Sequence, residues 1–231
     1  MLLDMAGYKF YAIIVAGGVG KRMNTSLPKQ FLVINNKPIL MHTIQKFADS
    51  VYRPEIVLVL GKNSINHWQH LVAEYNFNIP HIIVEGGAER FHSVKNGLSK
   101  IFTDDKNAIV AIHDAVRPLI SVETINNCYK KAQLNGNAVA AVVSKDSVRI
   151  AHDVGNASVP RNKVYLVQTP QVFIRQQLQD AYLQEYCSDF TDDASVVEKA
   201  GYQIFLEEGD HFNIKITYPE DILLAQSLLN N

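Results

Sequence analysis

Five short apolar runs set the frame for this chain: FYAIIV at 10–15, EIVLVL at 55–60, HIIVE at 81–85, AIVAIH at 108–113 and AVAAVV at 138–143. None alternates strictly with polar residues, so each predicts a strand covered on both faces, as in a parallel sheet between two helical layers. The stretches between them, 38–50, 63–76, 89–102 and 121–134, space their apolar residues as helices do. Strand and helix in this rhythm predict an α/β fold: a Rossmann-like, mostly parallel central sheet with helices on both faces. A chain of 231 residues, 47% hydrophobic and 19% charged, can bury such a core, and one domain over 1–231 is the expectation.

The rhythm breaks after about residue 144. SKDSVRIAHDVGNASVPRNKVY, 144–165, is polar and turn-rich, too long for an ordinary connection, and holds two short β-like pieces. It reads as a projecting arm. Beyond it the pattern predicts a helix near 174–186 and another from Thr191, capped by that hydroxyl and ended at Gly201. A strand at 202–207 and a last helix from Pro219 complete the expected elements.

Several chemistries are excluded early. A net charge of −1 supplies no field to draw nucleic acid or an anionic membrane, so any anion site must be a local cluster of Lys and Arg. Cys128 and Cys187 are the only cysteines, too few for a disulfide framework, and a reducing cytoplasm is the expected setting. No stretch approaches the roughly 20 apolar residues of a membrane span, and MLLDMAGYKF lacks a signal-peptide core. Eight scattered histidines show no zinc-ligand spacing, and no G-x-S-x-G elbow follows a strand.

The first strand runs straight into AGGVGKRMNTSLPKQF, 16–31. A phosphate chain needs bare backbone N–H groups that approach closely, and mobile positive charge beside them. Gly17, Gly18 and Gly20 with Lys21, Arg22 and Lys29 provide both within thirteen residues, and Pro28 stiffens the segment that presents Lys29. A tight turn with solvated cations is the competing reading of the same letters. Two commoner phosphate loops fail on counting. A Walker A loop would need Gly where Val15 stands and Ser or Thr where Arg22 stands, and a dinucleotide fingerprint would need Gly at Met23.

AGG-x-G-x-RM followed by LPKQF resembles the signature of the cytidylyltransferases of the 2-C-methyl-D-erythritol 4-phosphate pathway and the related ribitol-5-phosphate enzymes, on the nucleotide-diphospho-sugar transferase fold. The resemblance runs from about Tyr11 to Leu229 through GGAERFHSV at 86–94, HDAVRP at 113–118, VPRNKVYLVQTPQVF at 159–173, TDDASVVE at 191–198 and NIKIT at 213–217. GGAERFHSV taken alone reads first as an ordinary helix entry with turn glycines, and Arg117 can instead be an internal partner for Asp114. Taken together, the resemblance implies nucleotide contacts at Ala16, Gly17, Gly18, Val19, Gly20, Lys21, Gly87, Ser93, Asp114 and Ala115. It implies catalytic cations at Arg22 and Lys29, and acceptor-phosphate contacts at Ser147, Arg161, Thr169, Thr191 and Lys215. Departures are Ser147 for a usual threonine, Ala88 where an acidic residue is frequent, and Phe212 before NIK where a polar one is.

The expected reaction follows from these groups. A phosphate oxygen of a polyol phosphate attacks the α-phosphorus of CTP in line, and pyrophosphate leaves. A phosphate monoester is already an anionic nucleophile near neutral pH, so catalysis reduces to positioning and charge stabilisation. Magnesium is the expected cation, held mostly by phosphate oxygens, with Asp114 the one candidate protein contact. The resemblance also implies a homodimer whose 144–165 arm covers the partner's nucleotide pocket. TDDASVVE resembles the methylerythritol-phosphate enzymes more than the ribitol-phosphate ones. A non-catalytic nucleotide sensor on the same fold is the rival of a different class.

Overall fold

The computed structural model describes residues 7–18, 27–101 and 107–229. Its elements are β1 (Lys9–Ala16), β2 (Val33–Ile34), β3 (Lys37–Pro38), α1 (Ile39–Ala48), β4 (Glu55–Leu60), α2 (Ile65–Glu74), β5 (Ile82–Glu85), α3 (Arg90–Leu98), β6 (Ala108–Asp114), α4 (Val122–Asn135), β7 (Asn137–Val143), β8 (Val148–Ala151), β9 (Asn156–Val159), β10 (Tyr165–Ile174), α5 (Arg175–Ala181), α6 (Asp193–Lys199), β11 (Leu206–Glu208) and α7 (Pro219–Leu229). Seven strands form one sheet in the order β11-β7-β10-β6-β1-β4-β5. All neighbours run parallel except β10, which is antiparallel to both β6 and β7.

Strand parity explains why the apolar runs show no alternation. Along β1, Phe10, Ala12, Ile14 and Ala16 enter one core, which α1, α2 and α4 cover with Phe47, Trp68 and Tyr129. Tyr11 and Ile13 point the other way, into a second core closed by α3, α5 and α6 through Phe91, Leu178 and Val197. Both faces are therefore apolar, and each fully buried aliphatic side chain contributes about 1.5–3 kcal/mol. Local signals fix the helix ends. Ser121 Oγ accepts the Thr124 N–H at 3.0 Å to start α4, and Gly136, at φ 88°, stops it.

Four expectations need correction. The helix expected over 174–186 ends at Ala181, because Tyr182 turns inward to stack on Phe91 at 4.7 Å and to donate to Asp193 Oδ1 at 2.6 Å. Thr191 is not the cap of the next helix. Asp192 is: its carboxylate accepts the Ser195 N–H at 2.8 Å in a capping box, while Thr191 is exposed. The strand expected at 202–207 is only Leu206–Glu208, since the Asn137 side chain takes the backbone before it, donating to the Gln203 carbonyl and accepting the Phe205 N–H. Lastly, β10 has no counterpart among the expected strands although it lies mid-sheet. Its polar Gln168, Thr169 and Gln171 flank Pro170, where its pairing with β7 shifts register. Within the 144–165 segment, β8 and β9 form a two-stranded hairpin with exposed Ile150 and Val154.

Candidate active site

β1, β5 and β6 run parallel and release their loops on the same edge of the sheet, where open α/β sheets bind ligands. A cleft of about 640 Å³ opens there. One wall is backbone: Ala16, Gly17 and Gly18 after β1, Gly87 after β5. Ser93, buried on α3, sits beneath both segments; its hydroxyl accepts the Gly87 N–H at 3.1 Å, and a Cβ on Gly17 would lie 3.3 Å from it. Gly87 has no room for any side chain, because a Cβ would stand 2.3 Å from His92 Cβ. Opposite, the 3-10 turn Lys29–Phe31 buries Gln30, whose amide donates to the Ala16 carbonyl at 2.9 Å. That bond holds Lys29 against the glycine wall, and Lys29 Nζ donates to the Ile216 carbonyl at 2.8 Å.

A second cleft of about 250 Å³ adjoins the first and shares Arg90, Asp114 and Lys215 with it. Side chains, rather than backbone, make it. Asp114, at the end of β6, faces Lys215 at 2.9 Å, Arg90 at 3.5 Å and Arg117 at 3.6 Å. Burial alone would push its carboxyl up; Arg90, Lys215 and Arg117 together outweigh that and hold it well below the usual carboxylate range. Arg90 also forms a fork with the fully buried Asp193, at 2.9 and 2.6 Å. Burial works against the Arg90 charge, but Asp193 and Asp114 more than compensate. Three cations, Arg90, Arg117 and Lys215, meet three carboxylates, Asp114, Asp193 and the Asp192 that lines the same cleft, so the cluster is balanced before Lys29 is counted.

Of the residues predicted from the sequence, Ala16, Gly17, Gly18, Lys29, Gly87, Ser93, Asp114, Ala115 and Lys215 line the first cleft. Thr169 and Thr191 line the second. Ser147 and Arg161 line neither; Ser147 is exposed, and Arg161 donates to the Lys145 carbonyl at 3.1 Å within the arm. Val19, Gly20, Lys21 and Arg22 lie outside the described residues. Sequence reasoning missed Arg90 and Gln30. Both stand inside motifs that were noticed, GGAER and LPKQF, but nothing local announces that Arg90 meets Asp193, 103 positions away.

The model of the family described as 2-C-methyl-D-erythritol 4-phosphate cytidylyltransferase matches residues 10–231. The chain belongs to that family. Cytidylyltransferases of this name from Bacteroides thetaiotaomicron and Bacteroides fragilis are 43% and 45% identical to it, each over 94% of this chain and 98% of the relative. Among solved structures, the 4-diphosphocytidyl-2C-methyl-D-erythritol synthase of Anaerococcus prevotii superposes with a TM-score of 0.82 at 29% identity, covering 97% of both chains. The Thermus thermophilus cytidylyltransferase gives 0.74 at 27% identity, over 96% of this chain and all of that one. As a member of the methylerythritol-phosphate cytidylyltransferase family, the chain is a nucleotidyltransferase on the α/β fold described above. Among the described residues, no helix is long and apolar enough to cross a membrane.

Proposed function

We propose that this chain transfers CMP from CTP to 2-C-methyl-D-erythritol 4-phosphate in the cytoplasm. An acceptor phosphate oxygen forms a bond to the α-phosphorus as the bond between α-phosphorus and bridging oxygen breaks, and pyrophosphate carries away the electron pair. The observation that carries the reading is the adjacency of two unlike clefts around one carboxylate: a glycine-walled one suited to a nucleotide, and one walled by charged and polar side chains, Arg90, Arg117 and Lys215 among them, suited to a small phosphorylated polyol. In-line transfer requires two phosphates within bonding distance, and the shared Arg90, Asp114 and Lys215 mark where they would meet. Lys29, with Arg22 beside it in sequence, would offset charge growing on the α-phosphate and the leaving group. Lys215 and Thr191 would grip the acceptor.

Magnesium is part of this proposal as a companion of the triphosphate. Asp114 suits it poorly as a direct ligand, because Lys215, Arg90 and Arg117 already surround that carboxylate. Among the described residues no group of three His, Cys, Asp or Glu side chains offers a cage. When bound, the ion supplies charge neutralisation on the phosphates.

The same proposal includes a homodimer in which the 144–165 arm of one protomer covers the nucleotide pocket of its partner and brings Ser147 and Arg161 to the adjoining acceptor cleft. Two observations support it. Ser147 and Arg161 reach neither cleft of their own chain. Val143, Tyr165, Leu166 and Val167, at the arm's root, are exposed apolar side chains in one neighbourhood of the sheet. Pyrophosphate release with CTP, measured against methylerythritol phosphate and ribitol 5-phosphate, tests the reaction. Preference for ribitol phosphate would reassign the acceptor, and tight CTP binding with no release from any acceptor would make the protein a sensor. Mixing Lys29→Ala with Arg161→Ala protomers tests the arm: a verified heterodimer that regains activity supports exchange, and an inactive one rules it out.

A further inference from the structure

His113 has no role in the reaction as proposed, yet it is fully buried beside it, at the penultimate position of β6. Its ring packs against Phe47, centroids 5.0 Å apart, and its two nitrogens have unlike partners. Nε2 lies 3.3 Å from the Arg117 carbonyl, and Nδ1 lies 3.0 Å from Thr169 Oγ1. A carbonyl can only accept, so Nε2 must carry hydrogen. Burial drives the imidazole down to about 3, against a pull upward from Asp114 and with help from Arg117 and Arg90. The ring is therefore neutral at working pH and Nδ1 is bare.

The direction of the remaining bonds follows. A bare Nδ1 accepts, so the Thr169 hydroxyl donates its only proton to His113. The same oxygen accepts the backbone N–H of Asp114 at 3.0 Å. Among the described residues these are its two hydrogen bonds, and they leave one lone pair and no proton. Thr169 is held in this position on its other side as well, since Asn213 donates to its carbonyl at 2.9 Å.

We propose that His113 is a positioning residue that fixes the Thr169 hydroxyl as an acceptor, so that Thr169 receives a hydroxyl of the acceptor's polyol chain and not its phosphate. The resemblance grouped Thr169 with the phosphate contacts. A phosphate oxygen offers lone pairs, and a lone pair facing a lone pair repels; a polyol hydroxyl brings the proton that the site lacks. The inference rests on the cytidylyl-transfer reading for the identity of the ligand, while the hydrogen-bond direction stands without it. It also couples the second cleft to Asp114, because one Thr oxygen anchors the Asp114 backbone and faces the polyol.

Two measurements test it. The first uses the unmodified protein: ¹⁵N-histidine NMR, with His113 assigned by its loss in His113→Asn. The expected result is a neutral ring protonated on Nε2 from pH 6 to 8. A proton on Nδ1, alone or in a cation, overturns the proposal. The second uses CTP with methylerythritol phosphate and its single-deoxy analogues. Removing the hydroxyl that Thr169 receives should cost wild type about five- to tenfold in kcat/KM, and Thr169→Val less than about twofold, with the CTP KM unchanged in both. Thr169→Ser should restore the discrimination. Equal penalties in wild type and Thr169→Val for every analogue overturn it. His113→Phe should raise the acceptor KM about tenfold and leave kcat within about threefold, while His113→Asn, whose Oδ1 can take the Thr169 proton, stays near wild type. A merely structural role would move all constants together and deny His113→Asn its rescue. Absence of turnover by wild type would sink the cytidylyl-transfer reading itself, and the NMR result would then decide the hydrogen-bond direction alone.

Discussion

The two clefts share Arg90, Asp114 and Lys215 but are built from different materials. The first takes its shape from backbone, with Gly17, Gly18 and Gly87 lining it at the ends of parallel strands. The second is a charge cluster assembled from β6, α3, α6 and the 213–217 segment, with Arg90 gripping Asp193 from across the fold. Lys29 joins the fold at the neutral Ile216 carbonyl, an acceptor that its loss leaves uncharged, whereas removing a member of a charge cluster that holds four segments together leaves a buried charge unpaired. Substitutions in the first cleft should therefore cost turnover, and substitutions in the second should cost stability as well.

Lys29→Ala gives the largest expected effect. It should lower kcat by about a hundred- to a thousandfold while leaving the melting temperature and CTP affinity nearly unchanged. Turnover within a few-fold of wild type would remove Lys29 from the chemistry. Asp193→Asn is the matching change on the other side. It strips a buried partner from Arg90, and urea titration should show a loss on the order of 3 kcal/mol. If Asp193→Asn melts with wild type while Lys29→Ala does not, the contrast between the clefts is reversed.

Acid titration sharpens the contrast further. His113 titrates at about 6.5 in the unfolded chain and about 3 in the folded one, so the unfolded state binds the extra proton first. Its contribution is complete above about pH 6.5 and is lost as pH falls from there toward 3. The urea midpoint of wild type should decline more steeply than that of His113→Asn between pH 6.5 and 5; His42, also shifted down by burial, acts on both curves alike. Parallel curves would mean that His113 is not held neutral. The smallest effect is at the head of α6: Asp192→Ala should cost about 1 kcal/mol and Thr191→Ala less than about 0.5, as expected if Asp192 alone is the cap.

This division also marks what the sequence could reveal. Contiguous features were legible: the five strands, though β5 lies at the sheet edge with Ile82 exposed and so is not covered on both faces as expected, the glycine turn after β1, and the helix over 121–134, because each depends on neighbours a few residues away. Features assembled across the chain were not. Arg90 stood inside a helix entry and Asp193 in the first turn of a helix, and only the fold joined them. β10 was hidden by Pro170 and by the polar Gln168, Thr169 and Gln171, residues that serve the cleft at the expense of strand propensity. Thr191 misled for a related reason: both Thr and Asp cap helices, and only the Ser195 side chain, completing a capping box, selects Asp192.

The base of the arm is closed where the Ser144 N–H donates to the Val164 carbonyl at 2.9 Å, with Tyr165 paired to Val143 below it and Arg161 donating to the Lys145 carbonyl above. The two ends of the 144–165 excursion thus leave and rejoin the sheet at one point, between the last residue of β7 and the first of β10. A hairpin attached in this way can lengthen, shorten or be exchanged for another without pulling on either strand. Descent can then revise the arm while the glycine wall around the nucleotide stays fixed, and a chimera that grafts a relative's hairpin between Ser144 and Tyr165 should inherit the donor's arm on an unaltered sheet.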